Sequence, residues 1–221
     1  MNERPANRIP PSSRIAKRLP EKDEIKLLEP FSGHPPECIF VPVSKEQFGA
    51  AVKEIRAAGA VGFDSETKPV FTKGAVNAGP DIVQFATRTR AFIFQLGRTE
   101  CRPFLEEILQ AEDILKIGFD LKSDRILLHK KLGIEMKGVL DLGTVFRKRG
   151  YRNTVGVKSA VGIVLQRRFH KSKHVTTSNW ALAQLTPKQL EYAANDAIAA
   201  LLVWLALGSP DPERPSRHHN P

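Results

Sequence analysis

Acidic residues occur in three short groups whose spacing would allow them to share one site. The first group is Asp64-Ser65-Glu66 at the end of an apolar run, where the two-residue period of a strand puts both carboxylates on one face. Two neighbouring carboxylates repel each other unless a cation lies between them, so this pair predicts a site for a hard divalent ion. An exposed acidic strand end would give the same short pattern.

The second and third groups lie further along the chain. Asp120 ends an apolar run and Asp124 begins a helical pattern, where its charge would favour the helix dipole even without a catalytic role. Tyr192 and Asp196 are spaced i, i+4 and therefore share a helix face that continues with apolar residues. A buried acid is unfavourable without a partner, whereas the tyrosine also fits a core aromatic with a bonded hydroxyl.

Together these groups supply four carboxylates, which is enough to hold two divalent ions about 4 Å apart for phosphoryl transfer. In this hypothesis one ion activates a water molecule and the other stabilises a leaving 3′ oxygen. The expected ions are Mg²⁺ or Mn²⁺.

The elements that would position these acids alternate along the chain. Strands are expected at 38–43, 60–66, 82–87, 91–96 and 114–119, and helices at 44–58, 102–110, 124–132, 155–165 and 187–207. The last helix has a strong start signal, because Thr186 is followed by Pro187 and, three residues on, by Gln189. A meander of strands followed by alternating strands and helices predicts an α/β domain with a mixed sheet flanked by helices.

Proline marks both ends of this domain. Residues 1–36 hold seven of the 16 prolines and residues 208–221 hold four, so both segments are expected to be flexible tails around a body at 37–207. No apolar run is long enough to span a membrane. The two cysteines form neither a metal-ligand spacing nor a disulfide framework, which favours a reducing, cytoplasmic compartment.

Positive charge is concentrated in one part of the body. The chain carries a net charge of +10, and residues 142–180 hold nine Lys or Arg without any Asp or Glu. Such localised charge favours a polyanionic partner more than the total does, although a solvated basic face is the simpler interpretation of this stretch alone.

The three acidic groups, in this order and spacing, resemble the motifs of the DEDDy 3′–5′ exonucleases, the family of the Werner syndrome exonuclease domain, ribonuclease D and the proofreading domain of DNA polymerase I. The resemblance covers about residues 38–207, nearly the whole predicted body. Its motifs are Phe63-Asp64-Ser65-Glu66, Lys116-Ile117-Gly118 through Lys122-Ser123-Asp124-Arg125, Tyr192-Ala193-Ala194-Asn195-Asp196 and, closest to the Werner branch, Ser178-Asn179-Trp180 followed by Leu185-Thr186.

The resemblance implies a ribonuclease H-like fold and five site residues. Asp64, Glu66 and Asp196 would bind one metal ion directly. Asp64 would bridge to a second ion, where Asp124 rather than the nearby Asp120 would assist. Tyr192 would position the attacking water.

The implied activity is metal-dependent hydrolysis of phosphodiester bonds from the 3′ end of DNA or RNA, with DNA slightly favoured, and release of nucleoside 5′-monophosphates. The basic stretch would then hold the phosphate backbone of the substrate, which gives affinity without sequence reading. The residues expected to do so are Arg167, Arg168, Lys171 and Lys173.

Three alternatives stay open at this stage. The enzyme could instead trim RNA or degrade short oligoribonucleotides, the chain could be a non-catalytic nucleic-acid-binding module, or the acids could form only a charged surface patch. The expected partner is a nucleic acid with a free 3′ end and not a membrane. The sequence leaves the formation of a homo-oligomer open.

Overall fold

The computed structural model describes residues 17–70 and 78–210. Residues 1–16 and 211–221, which belong to the predicted tails, lie outside the described residues. In chain order the elements are α1 (Lys22–Lys26), β1 (Ile39–Phe40), α2 (Lys45–Ala58), β2 (Ala60–Glu66), β3 (Ile82–Ala86), β4 (Ala91–Gln95), α3 (Arg102–Gln110), β5 (Leu115–Gly118), α4 (Leu121–Leu132), β6 (Val139–Asp141), α5 (Leu142–Lys148), α6 (Val157–Ala160), a π-helical turn (Val161–Leu165), α7 (Lys173–Thr176) and α8 (Pro187–Ala206).

The strands form one mixed sheet in the order β1-β4-β3-β2-β5-β6. Strands β2, β3 and β4 pair antiparallel as a meander, and β5 and β6 continue the sheet parallel to β2. Strand β1 closes the other edge parallel to β4. The prediction of an α/β domain with a mixed sheet is therefore confirmed.

Strand β2 separates two hydrophobic layers by its two-residue alternation. Val61 and Phe63 point into one layer, where they pack with residues of α2, α3 and α4. Residues 62, 64 and 66 therefore point to the opposite face. That face is covered by α8, whose buried residues pack with those of α5 and α6. The alternation thus puts Asp64 and Glu66 on the side of the sheet where α8 lies.

Helix α8 lies directly against β2 because residue 62 is glycine. A Cβ atom on Gly62 would lie 1.8 Å from the carbonyl oxygen of Ala197, which is far inside van der Waals contact. The helix begins as predicted, with Thr186 and Gln189 forming a reciprocal capping box and Pro187 at its first position. Small residues on the inner face of the helix, such as Ala193 and Ala194, are fully buried.

Most predicted elements are present, but several bounds differ. The expected strand at 38–43 is confined to β1, α4 begins at Leu121 and not at Asp124, and the helix expected at 155–165 divides into α6 and the π-helical turn. The short elements α1, β6, α5 and α7 were not predicted, because three to seven residues carry too little periodicity to be recognised. Within the described ranges, no helix combines the length and the apolar character that crossing a membrane requires.

Part of the segment expected to be a flexible tail packs on the body. Residues 17–34, here called the N-terminal strap, contain α1 and form isolated β-bridges to Tyr151 and Arg168. Leu19 and Phe31 of the strap lie against the core beneath α8. The prolines suggested a tail because they exclude regular elements, but they do not prevent apolar side chains between them from packing.

Lysine 116, on β5, is completely buried. Its ammonium donates hydrogen bonds to the carbonyl oxygens of Ile108 at 3.2 Å and Ala111 at 2.6 Å, so it binds carbonyl groups at the C-terminal end of α3. Burial lowers the pKa of Lys116 to about 8. Burial of the charged ammonium therefore lowers the free energy of unfolding, and the size of this effect depends on pH.

We predict that Gly62→Ala destabilises the protein by about 3 kcal/mol, at the upper end of the usual range for overpacking, because the new methyl group forces α8 away from β2. Urea unfolding measures the change. Gly97→Ala is the matched control, since a Cβ atom there meets nothing within 4 Å. Equal stability of the two variants would contradict the close packing of α8 on β2.

We predict a pH dependence of stability that originates in Lys116. Because its pKa is about 8 in the folded protein and 10.5 in the unfolded chain, the unfolded chain binds more protons between these values, and the free energy of unfolding rises with pH in this window. Wild type should therefore gain stability relative to Lys116→Met between about pH 7.5 and about pH 10.5. Lys53→Met, at an exposed position on α2, is the control. A gap between wild type and Lys116→Met that stays constant with pH would show that the ammonium carries no such penalty.

Candidate active site

Three of the predicted acids meet between β2 and α8. Carboxylate oxygens of Asp64, Glu66 and Asp196 all lie within 4.8 Å of one another. Asp196 is buried, whereas Asp64 and Glu66 are half-buried. Within the described residues neither carboxylate oxygen of Asp196 accepts a hydrogen bond of good geometry. Three converging carboxylates supply the oxygen ligands that a hard divalent cation prefers.

The fourth predicted acid, Asp124, lies near the cluster, and in addition to burial its charge contributes to raising the pKa values of Asp64 and Glu66. It lies in the first turn of α4, and its Oδ1 accepts a hydrogen bond from the hydroxyl of Ser65, which lies between Asp64 and Glu66 in the sequence. It is not part of the set of three acids within 4.8 Å. The hydroxyl of Ser65 therefore links the fourth acid to the strand that carries Asp64 and Glu66.

Helix α4 is fixed by an aspartate that the sequence analysis did not single out. Asp141 ends β6, and its two carboxylate oxygens accept hydrogen bonds from the backbone N–H groups of Leu121 at 2.9 Å and Gly143 at 2.8 Å. It therefore caps the start of both α4 and α5. The Asp-Leu-Gly sequence at 141–143 is a recognisable N-cap signal for α5, but its bond to α4 joins residues 20 positions apart and has no sequence signal.

Tyr192 lies beside the carboxylates on the same face of α8 as Asp196. Its hydroxyl accepts a hydrogen bond of 2.9 Å from Thr176, and its ring packs on Trp180 with centroids 5.8 Å apart. Burial, with a smaller contribution from Asp196, raises the pKa of Tyr192 to about 12. The phenol is therefore neutral near pH 7 and keeps its own proton available for donation.

Burial and mutual repulsion oppose ionisation of the acids. Burial, followed by repulsion from Asp196 and Glu66, raises the pKa of Asp64 well above its ordinary value. Burial and then Asp196 raise the pKa of Glu66 to about 8. Burial raises the pKa of Asp124 to about 6, although the hydrogen bond from Ser65 opposes the change. A bound cation would reverse these shifts, because it favours the charged carboxylates.

The side chain of Lys171 lies next to these carboxylates. Its ammonium nitrogen lies 2.7 Å from Oδ2 of Asp196 and 5.5 Å from the centroid of the Tyr192 ring. Burial alone would lower the pKa of Lys171, but the charges of Asp196 and Asp64 outweigh burial and raise it. The same burial raises the pKa of Asp196, and Lys171 opposes that change. The ammonium is thus a positive charge held at the carboxylates.

The other three predicted phosphate contacts lie in different surroundings. Arg167 and Lys173 are exposed, and Arg167 donates to the neighbouring carbonyl oxygen of Gln166. Arg168 is half-buried and donates to the carbonyl oxygen of Lys26 in the N-terminal strap. The basic stretch is therefore not one uniform charged face.

A further buried polar residue next to the site also escaped the sequence analysis. Gln84 pairs with Asp64 across β3 and β2 and is fully buried, and neither polar atom of its side chain has a hydrogen-bond partner in the described part of the chain. Directly opposed side chains share one face of an antiparallel pair, so its amide lies near Asp64. A polar residue within the apolar Ile82-Val83-Gln84-Phe85 run was the available signal.

Comparison with known proteins identifies the family of this chain. A family model described as 3′–5′ exonuclease matches residues 40–209. The chain belongs to this 3′–5′ exonuclease family. The family that the three acidic groups resembled is therefore confirmed.

Two curated relatives and one solved structure illustrate the similarity. The Mus musculus bifunctional 3′–5′ exonuclease/ATP-dependent helicase WRN is 26% identical over 151 residues, which are 67% of this chain and 11% of that protein. An Arabidopsis thaliana 3′–5′ exonuclease is 26% identical over 152 residues, 66% of this chain and 52% of that protein. The chain spans only part of the length of these two relatives.

The solved structure is that of Trypanosoma brucei RNase D in complex with RNA U12. It superimposes with a TM-score of 0.68 at 22% identity over 77% of this chain and 62% of that one. At this identity the match shows the fold, and it confirms the predicted ribonuclease H-like class.

We predict that Lys171→Met tightens the binding of Mn²⁺ to the nucleic-acid-free protein by about tenfold, equivalent to about 1.4 kcal/mol, because the ammonium no longer competes for Asp196. Calorimetric titration at about pH 8, where fewer protons occupy the carboxylates, measures the affinity. Lys173→Met is the matched control, since this neighbouring lysine is exposed. Unchanged or weaker Mn²⁺ binding in Lys171→Met would contradict the competition.

Proposed function

We propose that the protein is a divalent-metal-dependent 3′–5′ exonuclease that hydrolyses phosphodiester bonds from the 3′ end of a nucleic acid and releases nucleoside 5′-monophosphates. The observation that carries the proposal is the convergence of Asp64, Glu66 and Asp196 within 4.8 Å beside the neutral phenol of Tyr192. The family match over residues 40–209 supports the same reaction.

Two divalent ions, Mg²⁺ or Mn²⁺, are the proposed cofactors. Asp64, Glu66 and Asp196 would hold the first ion, and Asp64 and Asp124 would hold the second. When bound, the ions supply an activated water and stabilisation of the leaving 3′ oxygen. The separation of Asp124 from the other three acids and its bond to Ser65 suit a residue that serves a second, adjacent ion.

Tyr192 is the proposed positioning group for the attacking water. The one hydroxyl proton of Thr176 is shared between the carbonyl oxygen of Ser172 at 3.0 Å and the Tyr192 hydroxyl at 2.9 Å, and when Thr176 donates to the phenol the phenolic proton can point toward the carboxylates. A group with a pKa of about 12 is a poor base near pH 7, so its contribution is orientation and not proton abstraction.

DNA is slightly favoured as substrate because of the Werner-like motifs Ser178-Asn179-Trp180 and Leu185-Thr186. The complex of RNase D with RNA supports the alternative, an RNA-trimming or short-oligoribonucleotide enzyme. The exposed Arg167 and Lys173 are suitably placed in the chain for phosphate contacts that read no sequence. A cytoplasmic location, based on the free Cys38 and Cys101, stays a prediction, and the formation of a homo-oligomer stays open.

We predict that wild type shortens 5′-labelled nucleic acid from its 3′ end and that Asp196→Asn lowers the rate by on the order of 1,000-fold, equivalent to about 4 kcal/mol of transition-state stabilisation. Single-stranded DNA, single-stranded RNA and a recessed-end duplex are compared with Mg²⁺, with Mn²⁺ and with chelator. The fastest substrate decides between the DNA and RNA proposals.

Asp120→Asn is the matched control for this experiment. Asp120 is the exposed acid that competes with Asp124 in the sequence pattern, and its left-handed backbone conformation, with φ of 56°, is well tolerated by asparagine. It should keep the wild-type rate. Binding of all substrates without any metal-dependent shortening would contradict the exonuclease and favour a nucleic-acid-binding module.

A further inference from the structure

The N-terminal strap precedes the part of the chain that the family model matches, residues 40–209. It nevertheless contacts the segment that carries Lys171. The backbone N–H of Arg168 donates to the carbonyl oxygen of Glu29 at 2.8 Å, and the N–H of Phe31 donates to the carbonyl oxygen of Arg168 at 2.9 Å. These reciprocal bonds join the strap to residues 166–171 as a short parallel bridge at Pro30.

Side chains strengthen this junction. The Arg168 guanidinium donates to the carbonyl oxygen of Lys26 at 2.7 Å, so a residue of the basic stretch bonds the strap instead of facing solvent alone. The rings of Phe31 and Phe169 pack with centroids 5.3 Å apart, and Phe169 is 5% exposed. Phe169 precedes Lys171 by two residues, which limits how far the lysine backbone can move while the rings stay packed.

The strap also contacts the helix that carries Asp196. A Cβ atom on Gly33 would lie 1.8 Å from Oδ1 of Asn195, so the strap backbone passes directly against the residue before Asp196. His34 then donates from Nε2 to the carbonyl oxygen of Thr87 at 3.0 Å, which fixes the end of the strap. The strap therefore contacts residues that neighbour both partners of the Lys171–Asp196 ion pair, namely Phe169 and Asn195.

Residues 166–172 have no helical or strand structure of their own. Ser172 caps α7, and the residues before it are anchored by the bridge to Pro30 and by the burial of Phe169. A lysine side chain loses much rotamer entropy when it is held in one place, so a fixed backbone favours the ion pair with Asp196.

We propose that the N-terminal strap is a positioning element that, through Arg168 and Phe169, holds the Lys171 ammonium at the carboxylates of the active site. The ammonium there occupies a position suited to a cation and competes with metal in the nucleic-acid-free protein. The inference rests on the proposed function in one respect, namely that this carboxylate cluster is the metal site.

The test is a double-mutant cycle between Phe31 and Lys171, read by calorimetric titration of the full chain with Mn²⁺. Phe31→Ala should tighten Mn²⁺ binding about threefold, less than removal of the lysine, because the ammonium is loosened and not deleted. In the Lys171→Met background Phe31→Ala should have no further effect. Leu27→Ala, also in the strap but with Leu27 88% exposed, should match wild type.

A merely structural role of Phe31 predicts the opposite sign, since a damaged fold would weaken Mn²⁺ binding. Weaker binding in Phe31→Ala, or an equal effect with and without Lys171, would overturn the proposal. Arg168→Gln removes a single hydrogen bond to the strap and should tighten binding in the same lysine-dependent way, so it replaces Phe31→Ala if that variant does not fold. Phe31→Leu, which keeps an apolar contact with Phe169, should restore wild-type affinity.

These results separate the two proposals because Mn²⁺ binding is measured without cleavage. Failure of wild type to bind Mn²⁺ would overturn both the metal-dependent function and the inference about the strap. If Phe31→Ala and Arg168→Gln both bind Mn²⁺ with wild-type affinity, only the inference about the strap is overturned. If Mn²⁺ affinity changes in the way that depends on Lys171 but the protein cleaves no nucleic acid, the proposed exonuclease function is overturned and the positioning role of the strap is supported.

Discussion

The contact between α8 and β2 at Gly62 is the constraint on which the site depends. Asp64 and Glu66 come from a strand, whereas Asp196 comes from a helix more than a hundred residues later, so their carboxylates meet only where the two backbones nearly touch. The same alternation that places Gly62 toward α8 places both strand acids there. The absence of a side chain at residue 62 therefore determines how closely α8 packs on β2. It thereby also determines how near the carboxylate of Asp196 lies to those of Asp64 and Glu66.

This packing brings together charges that repel each other. Burial of three converging carboxylates raises the pKa values of Asp64 and Glu66, which means that the ionised cluster is unfavourable without a cation. The large apolar layers on both sides of the sheet stabilise the fold and offset the repulsion within this cluster of carboxylates. Lys171 offsets part of the repulsion, so the site has an internal positive charge in the absence of metal.

Local patterns predicted much of this arrangement. The period of two in β2 and the Thr186–Gln189 capping box depend on neighbours in sequence, and both were predicted correctly. Contacts between distant residues have no such signal. The bonds of Asp141 to Leu121 and of Arg168 to the N-terminal strap join segments far apart in the chain, so the first was missed and residues 17–34 were expected to be a tail.

The basic stretch shows why charge alone predicts function poorly. Four residues close together in sequence have three different surroundings: Arg167 and Lys173 are exposed, Arg168 bonds a backbone carbonyl, and Lys171 pairs with a buried acid. An exposed cation interacts weakly at long range because water and salt screen it, whereas a buried ion pair is screened much less. Of these four cations, Lys171 is the one that the fold carries to the carboxylates, so its removal should change metal binding more than removal of the other three.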